Sequence, residues 1–221
     1  MAGRIIPLIA ALLGGLAIWT HLWPLLWPAA VLLATAGVYA ARAPGALGKR
    51  SDGTIAWWAW LLWAPWFGYT RLMHELARAL TDEPVADEVA PGVWVGRRPR
   101  LGELPAGIAI VVDLCAELTE LPQIVAGQTY LAVPALDATA PTAAQIARAV
   151  DAVVAAPGAA FIHCAFGHGR SATVAAAVLI RRGDATLGDV EQKMQHRRRR
   201  IGLNAEQRGA LAAAVRLGAA A

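Results

Sequence analysis

From Ile5 to Ala41 the chain carries no Asp, Glu, Lys or Arg, an uncharged run of about 37 residues interrupted by His21 alone. A single helix needs about 20 residues to cross the hydrocarbon core of a bilayer, so this run accommodates two short spans. Pro24 and Pro28 fall at its middle, in HLWPLLWP, where a tight turn between two helices would use them. Trp19, Trp23 and Trp27 suit an interfacial aromatic belt around that turn. The expectation is an α-helical transmembrane hairpin with helices at about 5–22 and 26–42. A cleaved signal peptide with Arg4 as its basic region is the alternative, but its apolar core would be only about 7 to 15 residues long. Arg4 precedes the run and Arg42, Lys49 and Arg50 follow it. The positive-inside rule then places both ends of the hairpin in the cytoplasm.

A third apolar stretch, 54–70, holds Trp57, Trp58, Trp60, Trp63 and Trp66 together with Pro65 and Gly68. So much tryptophan favours the headgroup boundary, hence an interfacial or re-entrant segment. A third crossing is the alternative, and it would move everything downstream to the other side. Residues 71–80 continue as an amphipathic helix, with Arg71 and Arg78 available to anionic headgroups. The acidic stretch 81–91, broken by Pro84 and Pro91, reads as a linker. The expected organisation is a membrane module at 1–80, the linker, and a soluble catalytic domain at 92–221.

Composition agrees with that division. Hydrophobic residues make up 57% of the chain and charged residues 16%, too apolar for a purely soluble protein, and eight of the nine tryptophans lie before residue 70. The formal charge of +4 suits nucleic acid, anionic lipid or a phosphorylated substrate. With only Cys115 and Cys164, no disulfide framework organises the fold, and an exposed reactive thiol belongs in a reducing compartment.

After the linker, short β-type runs alternate with helical patterns. Strands are expected at 92–96, 108–114, 129–136 and 159–164, and helices over TAAQIARAVDAVVAA and at about 171–182, 187–199 and 204–218. IAIVVDL is a continuous apolar run of the kind a sheet buried on both faces requires. The fold class is therefore α/β, with a central, largely parallel sheet flanked by helices.

Within that domain FIHCAFGHGRSATVAAAVLI, 161–180, passes from strand to glycine-bearing loop to helix. Cys164 opens the loop, Ala165, Phe166, Gly167, His168 and Gly169 form it, and Arg170 and Ser171 close it at the helix start. Backbone N–H groups of such a loop converge on one centre and bind an oxyanion. The same positive potential lowers the pKa of a cysteine at the rim. Arg170 adds a planar fork able to hold two phosphate oxygens.

HCAFGHGRS resembles the Cys-x5-Arg-Ser/Thr signature loop of the cysteine-dependent protein tyrosine phosphatase superfamily. YLAVPALDATAP, 130–141, is similar to the dual-specificity phosphatase segment in which an aspartate, here Asp137, precedes a Pro-led helix. Low-molecular-weight tyrosine phosphatases place the aspartate after the loop; the order here favours the dual-specificity branch. The resemblance implies a metal-independent, cofactor-free phosphatase. Cys164 is the nucleophile that forms a cysteinyl-phosphate, Asp137 the general acid and then base, and Arg170 with the loop amides the oxyanion clamp. Ser171 assists departure of the thiolate, and His163 orients the loop from behind.

Other readings of single residues stay open. Asp113 can compete as the acid or anchor a neighbouring loop, and His168 can touch substrate or sit in solvent. Cys115 can be packing or a disulfide partner of Cys164. The basic run HRRRRIGLNAEQ, 196–207, is a solvated face or a lipid-headgroup contact rather than a nucleic-acid patch, since no aromatic residues interleave with its arginines.

The leading expectation is a membrane-anchored phosphatase on the cytoplasmic side of a bacterial-type inner membrane, acting on a phosphorylated lipid headgroup. A phosphoprotein substrate stays open, because the loop interior has no lysine. A tethered phosphate-binding adaptor with little turnover and a rhodanese-type sulfur transferase are the alternatives from other classes.

Overall fold

A computed structural model describes residues 2–219, with side chains from 6 to 218. The chain divides into two compact units: residues up to Lys49 together with Ile55–Thr81, and Arg50–Thr54 together with the chain from Asp82 onward.

The first unit is helical. Helix α1 (Ala2–Thr20) ends where His21 takes φ +56°, a 3-10 turn over Trp23–Leu25 carries Pro24, and α2 (Leu26–Ala40) packs against α1. Pro28 sits in the first turn of α2, where its missing N–H has no partner to lose. Alanines buried between the helices, Ala10, Ala17 and Ala29, allow close approach of the backbones. The stretch expected as an interfacial segment and its amphipathic continuation form one helix, α3 (Trp57–Ala79), running through Pro65. Its 23 residues give a length of about 34 Å. Trp63 and Trp66 are buried, and the Trp63 indole N–H donates to the Ala46 carbonyl at 2.9 Å.

Large apolar side chains cover the outside of this unit, among them Leu8, Leu12, Leu16 and Trp19 on α1 and Trp57, Leu61, Leu72 and Leu76 on α3. Exposed apolar surface of that extent is characteristic of faces that meet a membrane or another protein. Among the described residues one helical stretch, Trp23–Ala40, is long and apolar enough to cross a membrane; the core helix of a soluble protein and an N-terminal signal sequence meet the same criterion.

The second unit is an α/β domain around a five-stranded sheet. Its strands are β1 (Ala86–Ala90), β2 (Val93–Arg97), β3 (Ile108–Cys115), β4 (Thr129–Ala135) and β5 (Ala159–Cys164), in spatial order β1-β2-β5-β3-β4. β2, β5, β3 and β4 are parallel, and only β1 runs antiparallel, against β2. Strand β1 corrects the expectation of a linker over 81–91. Its charges, Asp87 and Glu88, hid it, but an edge strand tolerates and even favours charge, and Val89 alone is buried. The β1–β2 turn is closed by Gly92 at φ +72°, whose N–H donates to Glu88 Oε1 at 2.8 Å.

On one face of the sheet lie α5 (Ala143–Ala155), α6 (Arg170–Arg182) and α8 (Ala205–Ala219), with α7 (Val190–Arg197) beside them. α5 starts with a capping box between Thr142 and Gln145. α6 is buried along ten consecutive residues, and its alanines let α5 and α8 close over it. The short α4 (Pro122–Gly127) packs on the opposite face, where Ile108, Val111, Ile124 and Phe161 form a smaller core. β3 therefore buries both faces, which is why it reads as an unbroken apolar run. This arrangement puts Cys164 at the carboxyl end of the middle strand, with α6 starting six residues later. Open parallel sheets place their sites at that edge.

Candidate active site

The loop between β5 and α6 is defined by where its carbonyls go. Ala165 O accepts the Arg98 N–H at 3.4 Å, and His168 O accepts the Gly202 N–H at 3.1 Å. Phe166 O and Gly167 O both accept from the guanidinium of Arg198, at 3.1 and 3.0 Å. A trans peptide is planar, so each outward carbonyl turns the following N–H the other way. The N–H groups of Phe166, Gly167, His168 and Gly169 therefore face the loop centre. The Gly167 N–H lies 3.3 Å from Cys164 Sγ, as this requires. Gly167 holds φ +78°, and a Cβ there would lie 2.5–2.8 Å from backbone atoms of Gly96 and Arg97. Only glycine fits.

Cys164 is 3% exposed, and its Sγ is 3.4 Å from Ser171 Oγ. Burial pushes the thiol up, but the Arg170 charge, the Ser171 hydroxyl and N–H, and the Gly167 N–H outweigh it and hold it below its ordinary value. Arg170 is buried; burial opposes its charge, and Glu117, Asp137 and Cys164 more than restore it. Glu117 grips it with two hydrogen bonds, 2.7 Å to Nη2 and 3.0 Å to Nη1. Ala135 O takes a further Nη1 proton at 2.8 Å.

Asp137 follows β4, and its half-exposed carboxylate accepts from Arg170 Nη2 at 3.1 Å. The start of α8 fixes the segment that carries it. Asn204 Nδ2 donates to Ala138 O at 2.8 Å, Gln207 Nε2 to Thr139 O at 3.0 Å, and the Ala140 N–H donates to Glu206 Oε1 at 3.1 Å. These bonds hold Ala138 at φ +58°, a conformation that alanine does not adopt freely. Cys164, Arg170, Asp137, His168, Asn204 and Gln207 line one pocket of about 200 Å³. A second cavity of like size, between α5, α6 and α8, is walled by Val150, Ala177, Ile180 and Ala214 and holds no nucleophile.

Of the other sequence candidates, His168 lines the pocket, and His163, Asp113 and Cys115 lie outside it. His163 is fully buried behind the loop, stacked on Phe161, with Nε2 at 3.1 Å from Glu120 and 3.8 Å from Asp113. Asp113 is no rival acid: its oxygens accept the Cys115 N–H at 2.8 Å and the Tyr130 hydroxyl at 2.7 Å. Burial, Asp113 and Glu117 push the Cys115 thiol well up. Both cysteines are free thiols. Asp113, Cys115 and His163 bring three metal-ligating atoms within 4.8 Å of one another. The Asp113 carboxylate is engaged by the Cys115 N–H and the Tyr130 hydroxyl, and these buried side chains form a polar network under the loop. His168 bonds Glu83 at 2.7 Å from the pocket wall.

The basic run divides: Arg197, Arg199 and Arg200 are exposed, whereas Arg198 is 1% exposed and braces the loop. Sequence reasoning missed Glu117, Arg198 and Glu83. Glu117 is one of two carboxylates in CAELTEL, after β3. Nothing in the spacing distinguishes it from Glu120.

Residues 100–184 match a family model described as Tc-R-P, polymorphic toxin system, DSP-PTPase phosphatase. No curated protein matches. Tk-PTP in its active form is 26% identical, with TM-score 0.54, covering 60% of this chain and 97% of its own. Human DUSP28 is 26% identical, with TM-score 0.52, covering 61% and 99%. PTPMT1, solved in complex with PI(5)P, shares the fold at 21% identity and TM-score 0.53, covering 62% and 99%. The second unit is thus a phosphoric monoester hydrolase domain. The superfamily these matches support is that of the dual-specificity and protein tyrosine phosphatases.

Proposed function

We propose that the protein is a membrane-anchored, cysteine-dependent phosphatase that hydrolyses phosphomonoesters through a cysteinyl-phosphate. The observation that carries this is the convergence on one pocket of a lowered thiol, inward amides, a buried guanidinium and a carboxylate. Sγ of Cys164 attacks phosphorus, the P–O bond to the leaving group breaks, and Asp137 protonates the departing oxygen. Water then attacks phosphorus, Asp137 takes its proton, the S–P bond breaks, and orthophosphate leaves as the thiolate reforms beside the Ser171 hydroxyl. Ala165, Phe166, Gly167, His168 and Gly169 supply the loop that cradles the equatorial oxygens, with Arg170.

Glu117 occupies the Nη1–Nη2 end of the Arg170 fork, which directs the Nε–Nη2 edge toward a phosphate. Asp137 holds one proton of that edge before substrate binds. A phosphate taking it releases the carboxyl toward the leaving group.

The apolar exterior of the first unit supports anchoring, with α1 and α2 as a hairpin whose ends, and the catalytic domain, face the cytoplasm of a bacterial-type inner membrane. Alternating Leu72 and Leu76 with Arg71, Glu75 and Arg78 suit α3 to the interface. The preferred substrate is a phosphomonoester on a lipid headgroup, which an anchored site meets in the bilayer plane. PI(5)P bound to PTPMT1 sets a precedent for lipid phosphate on this fold. A phosphoprotein is the second reading, favoured by the lysine-free loop.

A headgroup-resolved lipid profile of cells carrying wild type or Cys164→Ser tests the choice. A phosphomonoester lipid should rise in the variant; an unchanged profile moves the substrate to phosphoproteins. Retained hydrolysis of a soluble aryl phosphate by Cys164→Ser would sink the mechanism. A C-terminal enzyme reporter active outside the inner membrane would overturn the orientation.

A further inference from the structure

Residues 83–87 bond Arg198, which grips the phosphate loop from its outer side, and Glu83 also bonds His168. Arg198 makes four guanidinium hydrogen bonds and one further ion pair, to Glu83. Nε and Nη2 take Gly167 O and Phe166 O at 3.0 and 3.1 Å, and Nη1 takes Pro84 O and Asp87 Oδ2 at 3.0 and 2.8 Å. Glu83 Oε2 lies 3.4 Å from Nη2 and 2.7 Å from His168 Nε2. One edge of the fork therefore holds two loop carbonyls outward while its other end is held by the 83–87 segment. That segment begins two residues past Thr81, where the first unit ends.

We propose that Arg198, anchored by Glu83, Pro84 and Asp87, is a positioning residue for the phosphate loop. By holding the Phe166 and Gly167 carbonyls outward it keeps the Gly167 and His168 N–H groups aimed at the anion and at Cys164. The inference rests on the phosphatase reading for its relevance to turnover, but not for its measurement. The 83–87 segment is then part of the binding machinery rather than a tether. A planar fork is required. A lysine in its place keeps the charge, yet it has three donors on one atom and cannot bridge three carbonyls and two carboxylates.

The test uses the full chain in detergent micelles and two readouts that need no catalysis. The first is orthophosphate affinity by calorimetry in a Cys164→Ser background. The second is the pH profile of Cys164 alkylation by iodoacetate with Cys115→Ala present. Losing one aimed N–H to a charged acceptor weakens affinity about tenfold. Arg198→Met should show that loss and an alkylation midpoint moved to higher pH, and Arg198→Lys should not rescue either. Glu83→Gln and Asp87→Asn, which keep the guanidinium in place, should each weaken phosphate about threefold by loosening its anchor. If Arg198→Met does not fold, these two carry the test. Wild-type affinity and an unmoved alkylation profile in folded variants overturn the proposal. A wild-type chain that binds orthophosphate but hydrolyses no phosphomonoester defeats the catalytic reading instead and leaves this one standing.

Discussion

Gly167→Ala separates two costs that the fold imposes at one position. The first is conformational: an L-residue held near φ +78° loses about 1–2 kcal/mol relative to glycine. The second is steric, because the new methyl would sit 2.5 Å from Gly96 C, 2.6 Å from Gly96 O and 2.8 Å from Arg97 N. Those atoms belong to β2, which is hydrogen-bonded to β5, so they cannot yield as a side-chain tip would. Overpacking of this kind costs about 1–3 kcal/mol, toward the upper end when the neighbour is backbone. The sum, about 3–5 kcal/mol, falls on the loop itself. Gly183 provides the control. It holds φ +79° at the end of α6, and a Cβ there meets nothing within 4 Å. Gly183→Ala should therefore cost only the conformational part, about 1 kcal/mol. The assay is chemical denaturation followed by domain tryptophan fluorescence, alongside kcat/KM on an aryl phosphate. Gly167→Ala should lose activity by at least about a hundredfold, the equivalent of 2.7 kcal/mol, whether the loop stays strained or relaxes with its amides turned away. Equal destabilisation by the two variants, with activity retained in Gly167→Ala, would refute the argument that β2 fixes the loop.

Three further outcomes follow from the site. Asp137→Asn should lower kcat by about 10²–10³ on alkyl phosphates and much less on p-nitrophenyl phosphate, whose leaving group needs little protonation; an equal loss on both would remove Asp137 as general acid. Because the folded Cys164 thiol sits below its ordinary value, its contribution to stability is fully present above the unfolded thiol pKa and is lost as pH falls through the folded one. The midpoint of Cys164 alkylation should lie below that of an ordinary thiol, and Arg170→Ala should move it upward. Glu117→Ala leaves the Arg170 guanidinium buried without its bidentate partner, so it should destabilise the domain by about 3–5 kcal/mol and weaken orthophosphate binding; unchanged denaturation would show that Asp137 and Ala135 O suffice.

The sequence made legible what has local periodicity or a compact motif. β3 and β5 are apolar runs bounded by turns, α5 has its Thr142 cap three residues before Gln145, and the nine residues from His163 to Ser171 carry the nucleophile, loop and fork together. β1 was not legible, because ADEVA buries one side chain and owes its strand conformation to pairing with β2 rather than to its own pattern. Arg198 was invisible for a related reason. In a block of four arginines any one can face inward, and only the end of α7 decides that the second does.

The distinction also separates inner from outer chemistry at the loop. The groups that would meet a phosphate lie within one short segment, apart from Asp137. The groups that hold that segment in shape arrive from far along the chain, Arg98 from before it and Arg198 and Gly202 from after it, each more than thirty residues from its acceptor. A signature of this kind therefore reports the bonds made to the anion, while the orientation of those same amides depends on side chains and turns with no signature at all. If that separation holds, substitutions at Arg198 or Glu83 should reproduce the loss of phosphate affinity seen at the loop while leaving all the nine signature residues intact. The motif would then be necessary for the site and insufficient to build it.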